Sequence, residues 1–171
     1  MTDELLVVRA QLGERDAFAG LVREWHEPVH AFVRRMLGPG AADDVAQEVW
    51  LAVVRGLPRL KDPARFAPWL FSIARRAVTN RLRAEYARPA APGPGPEPDI
   101  GDAVVDRALV AAGLAGVPVL ERELLILFYL QDLSLETCAE ICGVPVGTVK
   151  SRLSRGRRLL RTSLAQKGHH A

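Results

Sequence analysis

The eleven residues Arg88–Pro98 read RPAAPGPGPEP, five of them Pro and two Gly. Each Pro removes a backbone donor and fixes φ, so neither helix nor sheet crosses this run, which is expected to be an extended, semi-rigid linker. It divides the 171 residues into a first part, 1–87, and a second, 102–167, with a linker at 88–101 and a short tail at 168–171. Each part must bury its own core. Apolar residues make up 49% of the chain and aromatic residues only 6%, so those cores are built mainly from Leu, Val and Ala. Ala and Leu favour helices.

The periodicity agrees. Over residues 15–36, Phe18, Leu21, Val22, Trp25, Val29, Phe32, Val33 and Met36 recur at three- and four-residue steps, the pattern of an amphipathic helix. Pro28 is a candidate kink, and Gly38-Pro39-Gly40 a stop. A second helix is expected over Ala41–Gly56, with Val45, Val49, Leu51, Ala52 and Val53 on its apolar side, and a third from near Ala64 to Tyr86. Beyond the linker, helices are expected at Asp102–Gly113, from Pro118 onward, at Leu135–Cys142 and at Val146–Gln166. Ser134 suits an N-cap and Gly143 a left-handed C-cap. No useful strand-like alternation appears. The expected fold class is therefore all-α: two small helical bundles joined by a Pro/Gly-rich linker, the second containing a helix-turn-helix.

Charge is modest overall, +3, but unevenly spread. Residues 97–147 hold nine acids and two bases, net −7; residues 148–167 hold seven bases and no acid, net +7; residues 72–88 are net +4. Basic segments beside acidic ones fit a nucleic-acid binder that also meets protein partners, or two solvated helix faces.

Residues 134–160 place a helix, a glycine turn and a second helix in the helix-turn-helix order. Stepping about 100° per residue from Val149 puts Leu153, Gly156, Leu159 and Leu160 on one side. Lys150, Ser151, Ser154, Arg155 and Arg158 fall on the other, with Arg152 nearer the inner edge. Arg bonds guanine edges bidentately, and Ser, Lys and Arg bond phosphates, so this outer face can read duplex DNA. An exposed basic helix without a DNA target has the same wheel. Over residues 69–83, Leu70, Ala74, Ala77, Val78 and Leu82 fall inward. Ser72, Arg76, Thr79, Asn80 and Arg83 fall outward, with Arg75 and Trp69 at the margins. Arginines with an amide and an adjacent ring suit single-stranded DNA, although Trp69 equally suits a core. Asp44, Gln47 and Glu48 share one face of the second helix, suited to a basic protein surface or simply to solvent.

The stretch Gly143-Val144-Pro145-Val146-Gly147-Thr148-Val149-Lys150-Ser151-Arg152-Leu153-Ser154-Arg155 resembles region 4 of extracytoplasmic-function (ECF) sigma factors, a branch of the sigma-70 family. Val117-Pro118, Arg122-Glu123 and Asp132-Leu133-Ser134 fit the same region. In the first half, Gly13-Glu14-Arg15-Asp16-Ala17-Phe18 and Asp43-Asp44-Val45-Ala46-Gln47-Glu48-Val49-Trp50 are similar to region 2. So is Phe66-Ala67-Pro68-Trp69-Leu70-Phe71-Ser72-Ile73-Ala74-Arg75-Arg76. The resemblance implies a promoter-specific initiation factor and no enzyme. Asp44, Gln47 and Glu48 would meet the β′ clamp helices of core RNA polymerase. Arg65 would lie in the loop that holds a flipped −10 base, and Ser72, Arg75, Arg76, Thr79, Asn80 and Arg83 would read the −10 element. Thr148, Lys150, Ser151, Ser154, Arg155 and Arg158 would read the −35 element, beside a contact to the β flap. It also implies an anti-sigma partner, and a linker that stands in for region 3 near the RNA exit path. Arg76 stands where Asn is frequent in the family and Asn80 where Asp is, both on the reading face, so a −10 preference does not carry over; Val54 stands where Trp is common, a departure expected to alter packing only. A stand-alone helix-turn-helix regulator is the alternative.

No catalytic triad, phosphate loop, cofactor motif or apolar run long enough for a membrane span occurs. The acidic N-terminus lacks the apolar run of a secretory signal, and with it the two cysteines point to a reducing cytoplasm. Cys138 and Cys142, one turn apart, are expected as small core residues; a metal site usually needs three or four ligands and no His lies nearby in sequence, and a redox or zinc sensor is the alternative reading of the pair.

Overall fold

A computed structural model describes residues 2–88 and 102–168; all but the first residue of the expected linker, and His169 and His170 of the tail, lie outside them. The described residues form helices and turns, with no strand among them. The first half contains α1 (Asp3–Gln11), α2 (Arg15–Leu37), α3 (Pro39–Gly56) and α4 (Phe66–Tyr86). The second contains α5 (Asp102–Ala115), α6 (Val119–Leu125), α7 (Leu135–Cys142) and α8 (Val146–Gly168).

Helix α1 has no counterpart in the periodicity reading: Leu6 and Val7 are buried while Leu5 and Val8 are exposed, too short a stripe to stand out in a sequence window. Helix α2 runs through Pro28 unbroken and buries Leu21, Val29, Phe32, Val33 and Met36. Gly38 ends it at φ 86°, a conformation glycine adopts without a Cβ clash, and Pro39 then opens α3 at its first position. Val45, Val49 and Val53 of α3 are buried, but Leu51 is 50% exposed and does not join that apolar side. The backbone enters α4 through a 3-10 turn, Pro63–Arg65, capped by the Asp62 carboxylate accepting from the Ala64 amide at 3.1 Å. Helix α4 buries Leu70, Phe71, Ala74 and Val78; Ala77 and Leu82 are half-buried.

In the second half, α6 continues into a π turn, Ile126–Leu130, and α5, α6 and α7 pack around α8. Ser134 Oγ accepts from the Thr137 amide at 3.0 Å, and Gly143 closes α7 at φ 65°, the two caps the sequence called for. Val149 and Leu153 of α8 are buried against this frame. The two halves are not separated bodies. Helix α4 packs against α7, and α2 against α5 and α6, within one continuous hydrophobic core.

Truncating Leu153 to Ala should destabilise the chain by about 2–5 kcal/mol, the cost of a buried leucine and its cavity. Ser134→Ala should cost about 1 kcal/mol through the lost cap. Urea unfolding followed by far-ultraviolet circular dichroism measures both, and the order of the two costs is the check.

Candidate nucleic-acid and polymerase interfaces

Helix α8 divides as its inner and outer residues require. Gly156 lies where a Cβ would sit 3.2 Å from Leu125 Cγ and 3.3 Å from Glu121 Cβ, so α8 approaches α6 closely at that point. Opposite this face, Lys150, Ser151, Ser154, Arg155 and Arg158 are exposed; Thr148 and Arg152 are half-buried. Ser151 Oγ donates back to the Thr148 carbonyl at 3.0 Å, leaving its lone pairs free to accept. Arg155 Nη1 stands 3.3 Å from Glu121 Oε1. The guanidinium remains 61% exposed, so the acid tethers it to α6 and leaves donors for a ligand. Arg157, off the predicted reading set, donates to the Tyr129 hydroxyl at 2.8 Å.

The expected −10 residues divide into two groups. Arg76, Asn80 and Arg83 are exposed along one side of α4. Ser72 and Thr79 are half-buried and donate to the carbonyls of Pro68 and Arg75, at 2.8 and 2.9 Å. Arg75 and Arg65 are both engaged by acids of the second half. Arg75 Nε and Nη2 donate to the Glu123 carboxylate at 2.9 and 3.1 Å, and Arg65 pairs with Glu140. Glu123 is 3% exposed. Removing Arg75 would leave that carboxylate buried without its cation, a defect worth about 3–5 kcal/mol. The ion-pair roles of Glu121, Glu123 and Glu140 were not read from the sequence: Arg122-Glu123 was matched only as part of the region 4 resemblance, and Glu121 and Glu140 belong to no quoted motif. The signal that marks them is the net −7 charge of residues 97–147 in the sequence, of which Glu123 and Glu140 meet Arg75 and Arg65.

Trp69 is half-buried, 6.0 Å from the Phe66 ring, and its Cζ2 occupies the space a Cβ on Gly56 would need, at 2.8 Å. The ring braces α3 against α4. On α3, Asp44, Gln47 and Glu48 are exposed, and Leu51 and Val54, 50% and 53% exposed, continue their side of the helix. Acidic, amide and apolar groups thus share one outward surface. Val54, the departure noted above, faces out there and not into the core.

Cys138 and Cys142 are buried, as small core residues should be. Burial pushes the Cys138 thiol up to about 11 and, with Glu123 nearby, the Cys142 thiol up to about 12. Nucleophilic and metal-binding chemistry needs the thiolate, so both are inert near neutral pH. Their alkylation by iodoacetamide in the folded protein at pH 7.5 should be at least about a hundred-fold slower than in the unfolded chain. Raising the pH toward 11 should speed it, because a raised thiol pKa delays ionisation to that range. Mass spectrometry of timed samples measures the rate.

No helix of the described residues is long and apolar enough to cross a membrane. The chain matches the family model for sigma-70 region 2 over residues 21–88 and that for sigma-70 region 4 over residues 107–160. It is 33% identical to the ECF RNA polymerase sigma factor SigC of Mycobacterium tuberculosis (strain CDC 1551 / Oshkosh) over 91% of this chain and 87% of that one. It is 30% identical to the ECF RNA polymerase sigma factor SigW of Bacillus subtilis (strain 168) over 92% and 94%. The fold superposes on CnrH, solved in complex with the cytosolic domain of CnrY, with a TM-score of 0.77 and 27% identity over 96% of this chain and 97% of that one. With both regions present in order and relatives matched almost end to end, this chain belongs to the ECF branch of the sigma-70 family.

Proposed function

We propose that this chain is a sigma factor that binds core RNA polymerase and directs initiation at a specific class of promoter. The observation that carries this reading is the presence of two amphipathic basic helices, α4 and α8, in the two matched sigma regions of one chain. A stand-alone regulator needs only α8 and leaves the rest of the first half without a role.

Residues 102–167 take the −35 element, with α8 in the major groove. Arg155 and Arg158 reach guanine edges or phosphates, and Thr148, Lys150, Ser151 and Ser154 hold the flanking backbone. The same half contacts the β flap. Residues 1–87 take the −10 element as it melts. Arg76, Asn80 and Arg83 meet the single strand from α4, with Ser72, Thr79 and Arg75 beside them. Arg65 lies in the loop that receives a flipped base, a step that costs a few kcal/mol and least where the duplex is already open. Asp44, Gln47 and Glu48 dock on the β′ clamp helices, with Leu51 and Val54 adding apolar area to the contact. The linker spans the two DNA elements. Nucleotide addition is the polymerase's chemistry; the chain contributes position and melting. An anti-sigma factor is the expected regulator, a reading supported by the relative CnrH having been solved with a partner's cytosolic domain.

Run-off transcription with core polymerase on a genomic promoter pool tests the function: discrete transcripts that require the chain are expected, and their absence on every promoter rejects it. On a responsive promoter, Arg158→Ala should lose about 1–3 kcal/mol of binding or discrimination if it meets a base. Asp44→Arg with Glu48→Arg should lower affinity for core polymerase roughly ten-fold while leaving folding unchanged, since both residues are exposed.

A further inference from the structure

Three arginines of α8 that lie away from its apolar side have different neighbours. Arg155 Nη1 stands 3.3 Å from Oε1 of Glu121, an acid buried on α6. Arg157 donates to the neutral Tyr129 hydroxyl. Arg158 is exposed and meets no acid among the described residues. Glu121 comes within reach of Arg155 because α8 approaches α6 at the next residue, Gly156, where a Cβ would stand 3.3 Å from Glu121 Cβ and 3.2 Å from Leu125 Cγ. A carboxylate buried in this way is screened little by salt, so its charge acts on whatever the guanidinium meets. Arginines that look alike in the sequence are thus separated into one matched by a carboxylate and others that keep their full charge.

We propose that Glu121 is a positioning residue for −35 recognition, holding Arg155 as a reader of a guanine edge and turning it away from phosphates. The proposal rests on the reading of α8 as the helix that enters the major groove. A phosphate and a guanine make opposite demands on this pair. Phosphate binding is driven by net charge, and an Arg–Glu pair has none to offer. A phosphate on Arg155 would also lie beside the Glu121 carboxylate and be repelled by it. The guanine edge carries no charge to repel. Its O6 and N7 need two donors in one plane, and a guanidinium with one nitrogen held by an acid still has donors on Nε and on the other Nη. The tether also fixes the long side chain before binding, so less rotamer freedom is lost when the base is met. Selectivity built in this way comes from repelling the wrong partner as much as from bonding the right one. Arg158, without such a neighbour, keeps a charge suited to either partner.

The test uses polymerase holoenzyme formed with the full chain, on a responsive promoter and on templates with each −35 base pair replaced in turn. Glu121→Gln nearly preserves shape and removes the charge. In this variant the preference for one G·C pair of the element should fall about ten-fold. Affinity for the template lacking that pair should rise, and the plot of log affinity against log salt should steepen by about one, as a freed Arg155 takes a phosphate. Arg155→Ala, a change at an exposed position, should lose preference at the same pair, and adding Glu121→Gln to it should change the preference no further. Placing 7-deazaguanine, which lacks the N7 acceptor, at that pair should weaken binding by the parent and leave Arg155→Ala unaffected. Each preference is a ratio between templates on one preparation, so a partly unfolded variant, which loses activity on all templates alike, does not mimic the result. A uniform effect of Glu121→Gln on every template, or a change in preference that persists in the Arg155→Ala background, overturns the positioning role. Indifference of the parent to 7-deazaguanine at every guanine of the element overturns the guanine assignment, while the parent's own transcripts show that sigma activity stands. A parent chain that yields no transcript on any promoter removes the reading of α8 itself, and this proposal with it.

Discussion

A carboxylate buried as deeply as Glu123 needs a cation, and the cation comes from the opposite half of the chain. Isolated burial of a charge is so costly that the pair with Arg75 constrains both partners: α6 is held at the height of the middle of α4, and α7 follows because it packs on the same helix. The remaining cross-bridges, from Arg122 to Met36 and from Gln131 to Pro28, fit that placement. The relation between the halves is thus fixed by a few directional contacts superimposed on an apolar core that is less particular about register.

Each proposed recognition helix follows from a single physical division. The apolar residues of α8, Val149 and Leu153, are spent on the core, and what remains on the far side is basic. Helix α4 repeats the arrangement with Leu70, Ala74 and Val78 inside and Arg76, Asn80 and Arg83 outside. A helix braced along its inner face presents its outer donors with little entropy left to lose on binding, which is why recognition sits on packed helices. The acids Glu121, Glu123 and Glu140 complicate this picture usefully. They sit beside the arginines and set which guanidinium groups are free and which are tied.

Much of the architecture was legible from residue spacing. The caps at Ser134 and Gly143, the division of α8 and the stop at Gly38 all follow from local chemistry, and local chemistry is what a sequence records most directly. Three features were not legible in that way. Helix α1 buries too few residues to generate a period. Leu51 matches an apolar pattern yet is half exposed, because which side of α3 is covered depends on helices distant in the chain. The engagement of Arg65 and Arg75 depends on residues 75 and 48 positions away in the chain, and no local pattern encodes such a distance.

The sequence by itself determined the helices, their inner and outer faces, the Pro/Gly run between the halves and the order of the two sigma regions, because propensity, capping and amphipathic period act within a few residues. The tertiary structure decided how the halves meet. It set Arg75, at the margin of the α4 reading face, in an ion pair with the buried Glu123, and it seated the Trp69 ring against Gly56, in line with the core reading of that residue. Both outcomes depend on which side chains are brought within bonding distance across the chain. Only the folded arrangement sets that distance.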